Sequence, residues 1–247
     1  MMSILLFLCA ASVCIAEEVK DDSDPSKVVA LSIREEYYNL TNDAYINRLV
    51  IRKDKAVLKK KSFGGRKGLT LRWDLPVVTS HFASQTKTGL GDLYFQGLLF
   101  PYLRPTFFVG AGTGFILPTA TGDSLGQGKW QVAPLVVPMW LFPKQRGFFN
   151  TKIQDIISFA GDHDRRNIHS LLITPTVVWR VGKTSWILAD TEARIDWNNN
   201  NRAAYKSGLQ IVKMFTRNLV FWVKPEIPWG PNRQGDWTIK VTMVLAK

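Results

Sequence analysis

The sequence has little cysteine, and both cysteines lie at its very start. Cys9 and Cys14 belong to the first 16 residues, "MMSILLFLCAASVCIA". The short apolar run and the small residues before Glu17 are typical of a secretory signal peptide that ends at Ala16. Once that segment is removed, the mature chain has no cysteine, which excludes disulfides and thiolate metal sites from it.

Long hydrophobic runs are also missing from the rest of the chain. Hydrophobic residues make up 46% of the sequence, yet no later window is apolar for the length of a membrane-spanning helix. A membrane location would therefore require β-strands. After a polar leader, residues 17–28, the segments are rich in Val, Ile, Thr and aromatic residues and end at Gly, Pro, Asn or Asp. This pattern is typical of an all-β protein.

The sequence predicts an antiparallel up-and-down transmembrane β-barrel of about 12 strands over residues 29–247. Most of the segments have the 9 to 11 or so residues that cross a bilayer as a tilted strand. Short connections such as "VGK" alternate with longer polar ones such as "SHFASQTKTGLG", as expected when one rim faces the periplasm and the other the exterior. The strands are predicted at 29–38, 45–53, 68–79, 92–101, 106–117, 129–141, 147–160, 167–181, 184–197, 204–215, 218–228 and 236–246.

Alternation within the strands gives each one an apolar and a polar face. A soluble barrel would turn the apolar face inward, whereas an outer-membrane barrel turns it toward lipid. The second arrangement is favoured because charges of both signs occur in mid-strand and aromatic residues concentrate at strand ends, as in membrane-interface girdles. These strand-end aromatics are Tyr102, Trp130, Trp140, Phe142, Phe148, Trp179, Trp186, Trp197, Trp229 and Trp237.

The mid-strand charges are candidate pore-lining residues. On polar faces they would either form ion pairs that fill a closed barrel interior or line a narrow pore and set its selectivity; both interpretations stay open. Twelve strands leave room for a narrow channel but not a wide one. The candidates are Arg34, Glu36, Arg72, Asp74, Asp190, Glu192, Arg194, Lys224, Glu226 and Lys240.

A net charge of +12 would ordinarily suggest nucleic acid as a partner. Much of the excess, however, lies in one basic segment, "RKDKAVLKKKSFGGRKG", residues 52–68, which is predicted to be a loop. For an exported chain, the expected partner is outer-membrane lipid or lipopolysaccharide, and no nucleic-acid partner is expected. A simple solvated loop is the alternative interpretation of this segment.

The stretch "TGDSLGQGKWQVAP", residues 121–134, looks like a phosphate-binding loop but departs from that pattern. The motif needs Gly, four residues, Gly, Lys and then Ser or Thr. Here Gly122 lies one position too early and Trp130 replaces the hydroxyl residue. A turn between the fifth and sixth strands is therefore predicted, with Trp130 facing lipid and Lys129 meeting solvent or lipid phosphates.

Several motifs resemble the phenol-degradation meta-pathway family of bacterial outer-membrane proteins. They are Gly-Leu-Gly-Asp at 89–92, Leu-Pro-Thr at 117–119, Gly-Lys-Trp-Gln at 128–131 and Ala-Gly-Asp at 160–162. The resemblance implies an outer-membrane channel or transporter for small molecules, aromatic or hydrophobic ones among them. The chain departs from many outer-membrane barrels in ending "MVLAK", without a terminal aromatic residue. The motif residues singled out are Gly91, Asp92, Pro118, Thr119, Gly128, Lys129, Trp130, Gly161, Asp162 and Asp164.

Catalysis is the main alternative from another class. Outer-membrane lipid hydrolases use a Ser and a His on one strand face, but His169 and Ser170 are adjacent and so lie on opposite faces. Asp162 and Asp164 are interpreted as turn residues, with Asp162 bonding its own backbone. We expect no catalytic residue, no cofactor and no metal. The alternatives left open are an outer-membrane lipid-modifying hydrolase and a structural or surface-interaction barrel without transport.

Overall fold

The structure is a computed structural model that describes residues 29–57, 69–103, 106–143 and 146–246. The predicted signal peptide, the leader and most of the basic segment, residues 58–68, lie outside these ranges. Among the described residues, no helix has the length and apolar character needed to cross a bilayer. The strands are β1 (Val29–Asn39), β2 (Tyr45–Ala56), β3 (Leu69–Phe82), β4 (Gln85–Leu90), β5 (Leu93–Leu103), β6 (Phe107–Leu117), β7 (Lys129–Leu141), β8 (Gly147–Gly161), β9 (His169–Gly182), β10 (Ser185–Asp196), β11 (Arg202–Thr216), β12 (Leu219–Trp229) and β13 (Trp237–Ala246).

The strands form one closed antiparallel sheet. From β5 to β13 each strand pairs with the next along the chain, β13 pairs with β1, and the β1–β2 and β2–β3 pairings complete the ring. Because β4 and β5 follow one another along the same partner, β3, the ring has twelve positions. The predicted all-β fold, a twelve-stranded antiparallel barrel, is confirmed.

The long polar loop predicted after the third strand is wrong. Residues 85–90 form β4, which pairs with Val77–Phe82 in the second half of β3. The turn between them places Ala83 and Ser84 at positive φ, 49° and 63°. Alternation did not reveal β4 because the segment "QTKT" is polar on both faces, as expected for a strand with water on both sides. It therefore lacks the hydrophobic alternation by which a strand is recognised.

The outer surface of the barrel is apolar, as predicted. On β13, Met243 and Leu245 are 38% and 43% exposed, whereas the alternate residues Thr242 and Val244 are both 1% exposed. Aromatic side chains are exposed on the outer surface at Trp130, Trp140, Trp179, Trp197, Trp229 and Trp237. Phe148 and Trp186 were wrongly predicted to join this girdle: both are buried, at 1% and 6% exposure, because they occupy inward positions of β8 and β10.

The inside of the barrel is filled by apolar side chains near the short turns. We call this cluster the apolar plug; each large aliphatic or aromatic side chain in it contributes about 1.5–3 kcal/mol through burial. The plug therefore occupies the lumen at the end where the predicted periplasmic turns lie. Its buried members are Ala30, Phe108, Met139, Phe148, Val178, Trp186, Leu188, Val212, Val220, Trp222 and Val244.

Candidate functional site

A cavity of about 400 Å³, the lower chamber, lies against the plug, with Met139, Leu188 and Trp222 among its lining residues. The rest of its wall is largely polar and charged. Eight of the ten predicted pore-lining residues are on it: Arg34, Glu36, Arg72, Asp190, Glu192, Lys224, Glu226 and Lys240. The sequence interpretation missed four further charged residues of this wall, Arg52, Asp54, Lys152 and Lys206.

Glu226 is the centre of the ion pairs on one side of the lower chamber. Its carboxylate lies 2.8 Å from Lys224 Nζ, 2.9 Å from Lys240 Nζ and 3.3 Å from Lys206 Nζ. Lys224 Nζ also lies 2.6 Å from Asp190 Oδ2. Three ammonium groups thus surround one buried carboxylate, and these ion pairs link β11, β12 and β13 from inside.

Two arginine–aspartate pairs tie β2 to β3. Arg52 donates to both carboxylate oxygens of Asp74, at 2.7 Å and 2.5 Å, and Arg72 Nε donates to Asp54 Oδ1 at 2.7 Å. The register places Arg52 opposite Asp74 and Asp54 opposite Arg72. The predicted basic loop was thus wrong at its start, because residues 52–56 belong to β2; alternation with Val50, also inward, could have shown this.

Lys152 differs from the other lysines of the lower chamber. It is an inward residue of β8, and within the described part of the chain no carboxylate lies within 4.0 Å of its ammonium group. On the neighbouring part of the wall, β5 contributes Leu98 and β7 contributes Leu135 and Val137. The charges therefore concentrate on one side of the lumen.

A second cavity of about 340 Å³, the upper chamber, lies under the connection between β6 and β7. Its wall includes Arg34, which also lines the lower chamber, and the two remaining predicted pore-lining residues, Asp74 and Arg194. Tyr94 borders both chambers, donating to Gln96 Oε1 at 2.7 Å and accepting from Gln154 Nε2 at 3.3 Å. The Tyr94 ring lies over Gly114, where any side chain would collide with it. Tyr94 thus narrows the lumen between the two chambers.

Several of the motif residues form one hydrogen-bonded group, which we call the loop clamp. Asp92 accepts from the backbone N–H groups of Ala120 (3.2 Å) and Gln127 (2.6 Å). Thr119 Oγ1 donates to Gly91 O at 3.1 Å and accepts from Leu93 N–H at 3.0 Å. These bonds fasten residues 118–128 across the upper chamber, where the buried Leu125 lines its roof.

The motif residues of the next loop join the clamp through backbone bonds. Asp162 N–H donates to Gly128 O at 2.9 Å, and Gly161 has φ of 118° against that same carbonyl, where a side chain would collide. Asp162 Oδ1 accepts from Asp164 N–H at 2.9 Å, which confirms the predicted turn. Arg165 donates from this loop to Gly126 O at 2.9 Å and Asp123 O at 2.8 Å.

The expectation that Lys129 meets solvent or lipid phosphates is wrong. Its side chain faces inward, the residue is 5% exposed, and Nζ donates to Asn167 Oδ1 at 3.1 Å. Trp130, its neighbour, is 44% exposed on the outer surface, as predicted. The error arises because β7 begins at Lys129, so that strand alternation already applies to it.

His169 lies on the outward face of β9. Its Nε2 is 3.2 Å from Asp155 Oδ2, and its ring is 6.2 Å from that of Trp197. Ser170 is 3% exposed on the opposite, inward face. Within the described residues, no serine hydroxyl is hydrogen-bonded to His169, and no group of three potential metal ligands occurs.

Comparison with solved structures finds the same fold in outer-membrane β-barrels. An outer-membrane channel from Pseudomonas putida F1 is 12% identical, with a TM-score of 0.74, covering 93% of this chain and all of that one. The NanC porin is 12% identical with a TM-score of 0.58, covering 88% of this chain and 99% of that one. The KdgM porin, also 12% identical, has a TM-score of 0.54 and covers 87% and 98% of the two chains.

At these identities the similarity shows the fold alone, a twelve-stranded antiparallel β-barrel like those of the proteins just compared. Comparison with protein-family models gives no match. Comparison with curated protein sequences gives none either. Membership of the phenol-degradation meta-pathway family therefore stays a prediction.

Proposed function

We propose that this protein is an outer-membrane channel that takes up small, partly apolar organic solutes through its two chambers. The observation that carries the proposal is a charged, cavity-bearing lumen enclosed by a wall whose outer face is apolar. A soluble barrel would have the opposite arrangement. The signal peptide predicted at residues 1–16 is consistent with export, and the outward aromatic side chains suit contact with outer-membrane lipid or lipopolysaccharide. No nucleic-acid partner is proposed.

The solved relatives support a role in passage. The protein from Pseudomonas putida is a channel, NanC and KdgM are porins, and KdgM has been solved with a disordered oligogalacturonate. The motif resemblance to the phenol-degradation meta-pathway family adds aromatic or hydrophobic solutes to the proposal. The apolar plug supports the same class, because a dry apolar constriction opposes hydrated ions more than solutes with apolar surface.

The proposal predicts that the plug limits passage. Trp222 lies at the boundary between the plug and the lower chamber, so Trp222→Ala should widen the lumen and raise the single-channel conductance several-fold over a small wild-type value. The full chain is refolded into planar bilayers for conductance and into liposomes for flux of small aromatic and aliphatic solutes. Trp140→Ala, which removes the same ring from the outer surface, where it is 44% exposed against 5% for Trp222, is the control and should leave conductance unchanged.

Failure has two distinct forms in this experiment. Absence of solute flux in wild type and both variants, with heat-modifiable gel migration showing a folded barrel, would overturn the channel proposal in favour of a structural or surface-interaction barrel. Flux that is unaffected by Trp222→Ala would place the path elsewhere than through the plug.

We propose no catalytic role. The His169–Asp155 contact is the feature that would favour an outer-membrane lipid hydrolase, but nucleophilic catalysis needs a hydroxyl or thiol within hydrogen-bond reach of the imidazole. Release of fatty acid from phospholipid vesicles by the folded barrel, lost in His169→Ala, would overturn this part of the proposal.

A further inference from the structure

We propose that the upper chamber binds a small amphipathic anion, an apolar body with one carboxylate, and that Arg194 is its principal cation. The inference deepens the proposed function by naming a solute class and rests on it in that respect. Binding itself requires no passage, however, so the two can be tested separately.

The cations of the upper chamber are only partly neutralised. Arg194 has no hydrogen bond or ion pair within the described part of the chain, although it is half-buried in the chamber wall. Arg34 and Arg48 share one carboxylate, that of Glu36, at 2.6 Å and 3.6 Å. A half-buried guanidinium without a partner is costly, and a carboxylate with bidentate geometry is the group that matches it.

The acidic residues of the chamber are already engaged. Both oxygens of Asp74 accept from Arg52, and those of Asp92 accept from two backbone N–H groups of the loop clamp. Neither aspartate is therefore available to Arg194. The guanidinium of Arg194 is therefore available to pair with the carboxylate of a bound ligand.

The remaining wall indicates what else the anion carries. Ile116, Ile156, Val78 and the buried Leu125 line the chamber. An inorganic anion or a sugar acid would lose its hydration against these side chains without compensation, whereas an apolar body gains from the contact. Gln131 also lines the chamber, and its Oε1 is buried without a hydrogen-bond partner among the described residues. This oxygen can accept a hydrogen bond from one hydroxyl group of a ligand.

The test is equilibrium binding by titration calorimetry to the full chain refolded in detergent micelles, with protein-free micelles to subtract partitioning. The probes are cyclohexanecarboxylate, its neutral amide, gluconate and inorganic phosphate. We expect saturable binding of the carboxylate, with the other three at least about ten-fold weaker, the effect of one charge-assisted hydrogen bond or of losing the apolar contact.

Variants locate the site. Arg194→Gln should weaken cyclohexanecarboxylate binding by about ten- to hundred-fold, and Arg194→Lys by less, since the charge is kept. Because Arg194 has no hydrogen-bond or ion-pair partner among the described residues, its removal leaves no carboxylate there unpaired, and the barrel should fold. Arg217→Gln, an exposed turn residue at the other end of the barrel, and Lys152→Gln in the lower chamber are controls that should bind as wild type does.

Three results would overturn the inference: equal affinity for carboxylate and amide, gluconate binding as tightly as cyclohexanecarboxylate, or a loss seen in Lys152→Gln instead of Arg194→Gln. Solute flux without binding in the upper chamber would overturn the binding inference and leave the channel proposal standing. Binding without flux would overturn the channel proposal and leave the binding inference standing.

Discussion

Along a single strand of this barrel the inward side chains change from apolar to charged within a few residues. On β12, Val220 and Trp222 belong to the plug, while Lys224 and Glu226 belong to the ion pairs around the lower chamber. On β10, Leu188 of the plug is followed two residues later by Asp190. Inward side chains pack against one another in the plug, whereas in the charged half they form ion pairs around the lower chamber. The two halves should therefore respond to different substitutions.

The largest expected effect is a cavity in the plug. Phe148→Ala should lower the free energy of unfolding by about 3–5 kcal/mol, the usual cost of truncating a fully buried phenylalanine. Urea unfolding of the protein refolded in lipid vesicles, followed by tryptophan fluorescence, measures it. The control is Phe215→Ala, which removes a ring that is 63% exposed on the outer face and should cost clearly less; equal losses would contradict a packed plug.

The charged half should respond to loss of a single carboxylate. Glu226→Gln leaves Lys206, Lys224 and Lys240 facing one another, and we expect a loss of about 3 kcal/mol in the same unfolding measurement. Asp43→Asn, in an exposed turn, should change stability by less than about 0.5 kcal/mol.

A double variant sharpens this prediction. Adding Lys240→Met to Glu226→Gln removes one of the unbalanced charges and should restore part of the lost stability. If the two losses simply add, the lysines do not depend on the Glu226 carboxylate and the pairing described here is wrong.

The smallest effect concerns the long-loop end, where hydrogen bonds rather than packing hold residues 118–128. Asp92→Ala removes two charge-assisted bonds to backbone N–H groups and should lower local stability by about 1–3 kcal/mol. The expected result is faster hydrogen exchange at the Ala120 and Gln127 amides, with unchanged exchange in the barrel strands. Asp164→Ala is the matched control. Equally fast exchange at these amides in both variants would show that Asp92 does not hold the loop clamp.

Much of the fold followed from period-two alternation. It gave the two faces of the twelve predicted strands, though not β4, and the mid-strand charges and strand-end aromatics then oriented the apolar face outward and all ten charged candidates inward. Each of these features depends only on neighbouring residues along the chain. The β1–β13 pairing that closes the ring joins distant segments, so no local pattern encodes it. The partners of Arg52 and Glu226 depend on the register between neighbouring strands, which alternation within one strand does not give.

Three errors share a second physical cause. Phe148, Trp186 and Lys129 were assigned by residue type, aromatic rings to the membrane interface and a lysine to lipid phosphates. Alternation places each of them inside, where an apolar plug accepts a ring and Asn167 accepts an ammonium hydrogen bond. Position along the strand therefore outweighs residue type in deciding which face a side chain takes. The role of the ten charged residues in selectivity stays a prediction.

The β1–β13 pairing has a consequence for assembly. Ala30 lies opposite Ala246 and Asn39 opposite Trp237, so this seam joins segments from the two extremes of the described chain, whereas most other seams join strands separated by a single turn. Bringing such distant segments together costs more loop-closure entropy than any other pairing in the ring, so we expect this seam to form after the hairpins. Until this seam forms, β1 and β13 have unpaired strand edges. The barrel is then expected to form first as an open curved sheet and to close last through the β1–β13 pairing.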